Sequence, residues 1–117
     1  MPDIARYEPE GGILSNAVAA GNIVITAGAV GDDLSLDVKG QTRETLAYVD
    51  KLLALAGTNK SKILFATIWL PDIRMRDAMN EVWLEWVDPA NLPARACVEA
   101  RLASIDYKVE MQIIAAR

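Results

Sequence analysis

The octapeptide Ile63-Leu64-Phe65-Ala66-Thr67-Ile68-Trp69-Leu70 decides the fold. Its β-branched and aromatic content predicts a strand. Ile63, Phe65, Thr67 and Trp69 take one face; Leu64, Ala66, Ile68 and Leu70 take the other. Both faces are apolar, so this strand needs cover on both sides, as a central strand does. Pro71 stops it. Asp72 follows at a position suited to an N-cap. Met75, Met79, Val82, Trp83, Trp86 and Val87 then form the apolar face of a helix that ends before Pro89.

Upstream, Thr42, Leu46, Val49, Leu53 and Ala56 recur at steps of four, three, four and three, with Leu52 widening the stripe. This predicts a helix, with Gly57 as a left-handed residue just past its end. Asn22 to Val30 reads as another two-faced strand, ended by Gly31-Asp32-Asp33. Ile4 to Tyr7 is a short edge strand, ended by Glu8-Pro9-Glu10-Gly11-Gly12. Downstream, Ala94–Leu102 and Tyr107–Ala116 read as two late strands. The order β-β-α-β-α-β-β describes one α+β domain over residues 1–117, a mixed sheet with two helices.

Two helices of roughly 16 residues cover one face of such a sheet. The other face would leave an apolar patch of several hundred Å2, more than monomers usually carry. Two solutions stand open: a homo-oligomer that packs the bare faces together, or loops folded across the face.

The chain has 117 residues, 12 Lys plus Arg against 16 Asp plus Glu, and a net charge of −4. That balance does not build a phosphate-binding surface, so nucleic acid is not the expected partner. Apolar residues make up 52% and no run approaches a membrane span, so a folded chain off the membrane is expected. There is no histidine, which removes the commonest general base and metal ligand. Cys97 is the lone cysteine, so no internal disulfide can form. With no apolar leader at the N-terminus, a reducing cytoplasmic home is expected.

Acid–base chemistry therefore falls to Glu, Asp, Lys, Tyr or Cys97. Arg95 lies among small residues in Pro93-Ala94-Arg95-Ala96-Cys97, where a guanidinium has room to grip a carboxylate in bidentate fashion. Arg95, Cys97, Glu99 and Arg101 share one strand face; Lys108, Glu110 and Gln112 share a face of the next. If Leu102-Ala103-Ser104-Ile105 is a tight hairpin, Arg95 and Glu110 sit opposite each other as a cross-strand ion pair of little energetic weight. Cys97 has no histidine to activate it and reads as a small buried residue. Asn80 stands at the edge of the Met79/Trp83 face. Trp69, Trp83 and Trp86 read as core. Gly28-Ala29-Val30-Gly31 lacks the glycine spacing of a dinucleotide loop.

Taken in order, several segments resemble the Rid family of reactive intermediate deaminases, also called the YjgF family. They are Ala17-Val18, Gly21-Asn22 leading into Val24-Ile25-Thr26-Ala27-Gly28, Gln41-Thr42, Ala66 to Asp72, Met79-Asn80, Pro93-Ala94-Arg95-Ala96-Cys97-Val98-Glu99 and Lys108-Val109-Glu110. The segments around Trp83, Trp86, Ala100-Arg101-Leu102-Ala103 and Tyr107 look most like its YoaB-like branch. The resemblance implies a chorismate-mutase-like fold, a homotrimer, and clefts between subunits. It implies hydrolysis of 2-enamine or 2-imino acids to 2-oxo acids and ammonia, without metal or organic cofactor. Carried over residue by residue, Arg95 holds the substrate carboxylate and Glu110 acts on the attacking water. The backbone at Gly28 and Cys97 positions substrate and water, and Asn80 shapes the pocket and supports Arg95. Many family members carry tyrosine where Leu14 stands and serine where Ala27 stands. Both positions line the cleft, so here it is more apolar.

Overall fold

The computed structural model describes residues 3–117. Strands β1 (Ile4–Glu10), β2 (Leu14–Ala20), β3 (Ile23–Thr26), β4 (Ile63–Leu70), β5 (Ala94–Glu99) and β6 (Glu110–Ala116) form one mixed sheet in the order β1-β2-β3-β6-β4-β5. All pairings are antiparallel except β4 with β5. Helix α1 (Val38–Leu55) joins β3 to β4, and α2 (Arg76–Trp86) joins β4 to β5. A parallel β4–β5 pair needs such a crossover. This is the α+β fold with a mixed sheet and two helices that the sequence predicts.

The helical stripe is buried as its spacing requires: Thr42, Leu46, Val49, Leu52, Leu53 and Ala56 all lie in the interior. Leu46, Val49, Leu53 and Ala56 share one core cluster with Ala66, Ile68 and Leu70 of β4, Met111, Ile113 and Ala115 of β6, and Val24 of β3. Asp37 caps α1 by accepting from the Gly40 N–H, and Gly57 follows with φ +82°.

The opposite face carries Phe65, Thr67 and Trp69 of β4 and Gln112 and Ile114 of β6, all half-buried. Ile25 and Val98 are exposed on it to 43% and 45%. Among the described residues no loop closes over these two. The open face is therefore apolar, as the two-faced reading predicts, except that a β-bulge between Ile63 and Phe65 sets Ile63 opposite Ala115, in the core on the helical side.

Four local expectations need correction. Leu14–Ala20 is a strand, β2, which pairs with β1 across a turn at Gly11 and Gly12, both at positive φ. Strand β3 stops at Thr26 rather than Val30; beyond it only Ala29 bridges to Met111. Asp72 caps the 3-10 turn Ile73–Met75, by accepting from the Arg74 N–H, and not α2 itself. The late strands are shorter than expected, and they are not a hairpin. β4 lies between them, so the cross-strand Arg95–Glu110 ion pair does not form. The segment 100–109 instead carries the chain from the sheet's edge to its centre.

Candidate functional site

Arg95 is delivered by β5, an edge strand whose register pairs it with Ala66 of β4. Ala66 faces the helices, so Arg95 does too. Its guanidinium lies over the Trp83 ring, 5.2 Å from the centroid. That cation–π contact holds the guanidinium against the ring. Among the described residues no carboxylate comes within ion-pair distance of it. Asn80, one turn before Trp83 on α2, buries an Oδ1 with no hydrogen-bond partner. Arg95, Asn80 and Trp83 line one cavity of about 330 Å3 with Leu84, Val87, Leu92 and Pro93. A cation with no carboxylate partner and an apolar wall make a receptor for a small amphiphilic acid.

Glu110 opens β6 and pairs with Trp69, on the open face. Burial pushes its carboxyl above the usual glutamate value, and no neighbouring charge or hydrogen bond offsets this. Gly28 lies against it. A Cβ at position 28 would run into the carboxylate, with the Glu110 Cδ at 2.8 Å. Any larger residue here would force the Glu110 side chain to move. Ala27 precedes Gly28, half-buried, its N–H donating to Asn16 O at 2.9 Å. Leu14, 40% exposed, starts β2 at the same end of the sheet.

Gln41 secures the approach into β6. It is fully buried in α1. Its Nε2 donates to the carbonyls of Leu34 (3.3 Å), Leu36 (3.1 Å) and Asp106 (3.0 Å), and its Oε1 accepts from the Lys108 N–H at 2.9 Å. The last two bonds hold the backbone just before Glu110.

Cys97 follows Arg95 on the same face, packed against the core. Burial raises its thiol pKa more than Arg95 and Arg76 lower it, so the thiol is protonated and a poor nucleophile.

The structure thus sorts the expected site residues into two groups. Arg95, Asn80 and Cys97 stand on the helical side near the β5 edge. Glu110, Gly28, Ala27 and Leu14 stand beyond β4. A larger hollow of about 500 Å3 beside α1 includes Gly28 but neither Arg95 nor Glu110. In it Lys51 pairs with Glu8, and Glu44 accepts from the N–H groups of Asp32 and Asp33.

The sequence profile of the family described as Endoribonuclease L-PSP matches residues 5–117. A RutC family protein from Haemophilus ducreyi is 47% identical over 80% of each chain. The RutC family protein YoaB of Escherichia coli is 42% identical over 87% of this chain and 89% of its own. The chain belongs to the YjgF/RutC family. Its sequence places it with the YoaB-like branch. The crystal structure of a YjgF-family protein from Neisseria meningitidis is similar to it at a TM-score of 0.94 and 37% identity, over 98% of this chain and 95% of that one.

Within this YjgF-family chain, sequence reasoning missed three contributions. Trp83 is core, 6% exposed, but one ring face serves as the platform for Arg95. Its place three residues after Asn80, on the same helix face, was the available signal. Leu84 and Leu92 are too exposed to read as core and line the cavity instead. Gln41's clamp spans 65 and 67 residues of sequence, and no local pattern encodes it.

Proposed function

We propose that this protein hydrolyses 2-imino acids, and their 2-enamine tautomers, to 2-oxo acids and ammonia, in clefts between the subunits of a homotrimer with a chorismate-mutase-like fold. The observation that carries this is the separation of the anchor from the base. Arg95 and Glu110 leave opposite faces of one sheet. A substrate gripped by Arg95 at the β5 edge meets Glu110 only when a second protomer supplies it. The bare, apolar open face is the surface such an assembly would cover.

The chemistry suits the groups. Arg95 binds the carboxylate of R–C(=NH)–COO⁻ through paired N–H donors, oriented by Trp83. Asn80 helps to wall the cavity in which Arg95 holds the carboxylate. Glu110 of the neighbouring copy takes a proton from water as the oxygen bonds to the imine carbon. It returns that proton to the nitrogen, giving the carbinolamine R–C(OH)(NH2)–COO⁻. The carbinolamine hydroxyl then gives up its proton, which Glu110 passes to the nitrogen as the C–N bond breaks, and R–CO–COO⁻ and NH3 leave. A carboxyl whose pKa is raised by burial suits this exchange, because it both accepts and returns a proton readily. The imine is already reactive, so positioning supplies much of the rate. Metal and organic cofactor are not called for. With a net charge of −4, the chain suits this ligand better than RNA, despite the family profile's description.

A second reading is a carboxylate-binding regulator without turnover. It is favoured by the anchor of Arg95, Asn80 and Trp83 standing complete on one protomer, while Leu14 and Ala27 bring no hydroxyl. An amino-acid oxidase that generates imines in the presence of semicarbazide separates the two. Added protein is expected to suppress semicarbazone formation, and Arg95→Ala to abolish the suppression. Absence of suppression with every imine tried would leave the regulator. A monomer by light scattering would remove the shared cleft.

A further inference from the structure

We infer that the cavity beside Arg95 selects 2-imino acids with a branched aliphatic or aryl side chain over the small imine derived from alanine; this rests on the proposed deaminase reading and names its substrate class. The cavity holds about 330 Å3. Apart from Arg95 and Asn80, every residue lining it is apolar: Trp83, Leu84, Val87, Leu92 and Pro93. A carboxylate on Arg95 takes up its one charge, and Asn80 Oδ1 is turned into the protein and buried. What remains to be filled is hydrocarbon surface, more of it than a single methyl group can cover.

Leu84 and Leu92 support this assignment. Leu84 is 73% exposed and Leu92 68% exposed in the protomer. A ligand tail of four or more carbons would cover them and displace water held against apolar surface. One methylene changes discrimination by about 10–200-fold in a fitted apolar pocket. In this more open cavity the expected preference is at the lower end of that range.

The test measures kcat/KM for imines generated by an amino-acid oxidase from L-alanine, L-leucine and L-phenylalanine. The leucine- and phenylalanine-derived imines are expected to be preferred roughly tenfold or more over the alanine-derived one. Leu84→Asn combined with Leu92→Ser should bring that ratio towards one. Both residues are exposed, so the fold should survive. Equal or inverted preference in the wild-type protein would overturn the inference while leaving the deaminase reading intact. So would a ratio unmoved by the double variant. If no imine is consumed, the deaminase reading fails, and the cavity is judged by calorimetry. Tighter binding of 4-methyl-2-oxopentanoate than of pyruvate would support the cavity's preference, and equal or reversed binding would overturn it.

Discussion

Arg95 and Glu110 flank the same strand, β4, from opposite faces of the sheet. Arg95 is in register with Ala66 and Glu110 with Trp69. Three residues along a strand are roughly 10 Å, and two strand spacings add roughly as much sideways. The body of the sheet lies between the two side chains. In one protomer they are neither an ion pair nor a catalytic pair.

Complementation follows from that separation. Arg95→Ala and Glu110→Ala should each be inactive alone. Mixed one to one and allowed to exchange subunits, they should recover about one quarter of wild-type activity. In the proposed trimer each cleft would draw its arginine and glutamate from different copies, so about one pairing in four would keep both. Semicarbazide trapping before and after exchange checks this. No recovery, with exchange verified by mass spectrometry, would place both groups on one chain.

Gly28→Ala should lower kcat far more than it raises KM. The new Cβ displaces the Glu110 carboxylate, whose flexible end is the group that must give way. The fold should hold, because Gly28 has no positive φ to lose. Circular dichroism and steady-state kinetics together test this. A wild-type kcat would show that Glu110 is not placed by Gly28.

For Glu110 the direction of the pKa shift sets the pH dependence. Its folded value is raised by burial, so the neutral form is favoured in the protomer. The stability this group contributes is complete below the unfolded value of about 4.5 and declines as pH rises through the folded value. Glu110→Gln should flatten that decline in a urea titration series from pH 4 to 8. Activity should run the other way, rising with pH as the base form appears, with an inflection above the ordinary glutamate range. A rate flat across that window would remove Glu110 as the base.

Gln41→Met should destabilise the protein by about 1–3 kcal/mol. It leaves the Lys108 N–H and the Asp106 carbonyl without their buried partner. Chemical denaturation reads this as a lower midpoint at an unchanged slope. Wild-type stability would mean that water replaces the clamp.

Much of the frame was legible along the chain, and the reason is periodicity. The steps of four and three from Thr42 to Ala56 can bury only one helix face, and they do. The doubly apolar Ile63–Leu70 had to be interior to a sheet and in need of cover on both sides. Strand β2 was missed because Leu14-Ser15-Asn16-Ala17-Val18-Ala19-Ala20 is alanine-rich, with one β-branched residue. Its strand character comes from lying between β1 and β3, which supply its ladder.

Residue types and local spacing determined the elements, the apolar faces and the unusual arginine among small neighbours. These depend on contacts a few residues apart. Tertiary structure alone decided that β6 inserts between β3 and β4, that Arg95 rests on Trp83, and that Glu110 emerges on the far face beside Gly28. Those outcomes depend on which strands pair. Pairing is chosen by burial summed over the whole sheet, and a short loop such as Leu102–Ile105 has too little local energy to overrule it.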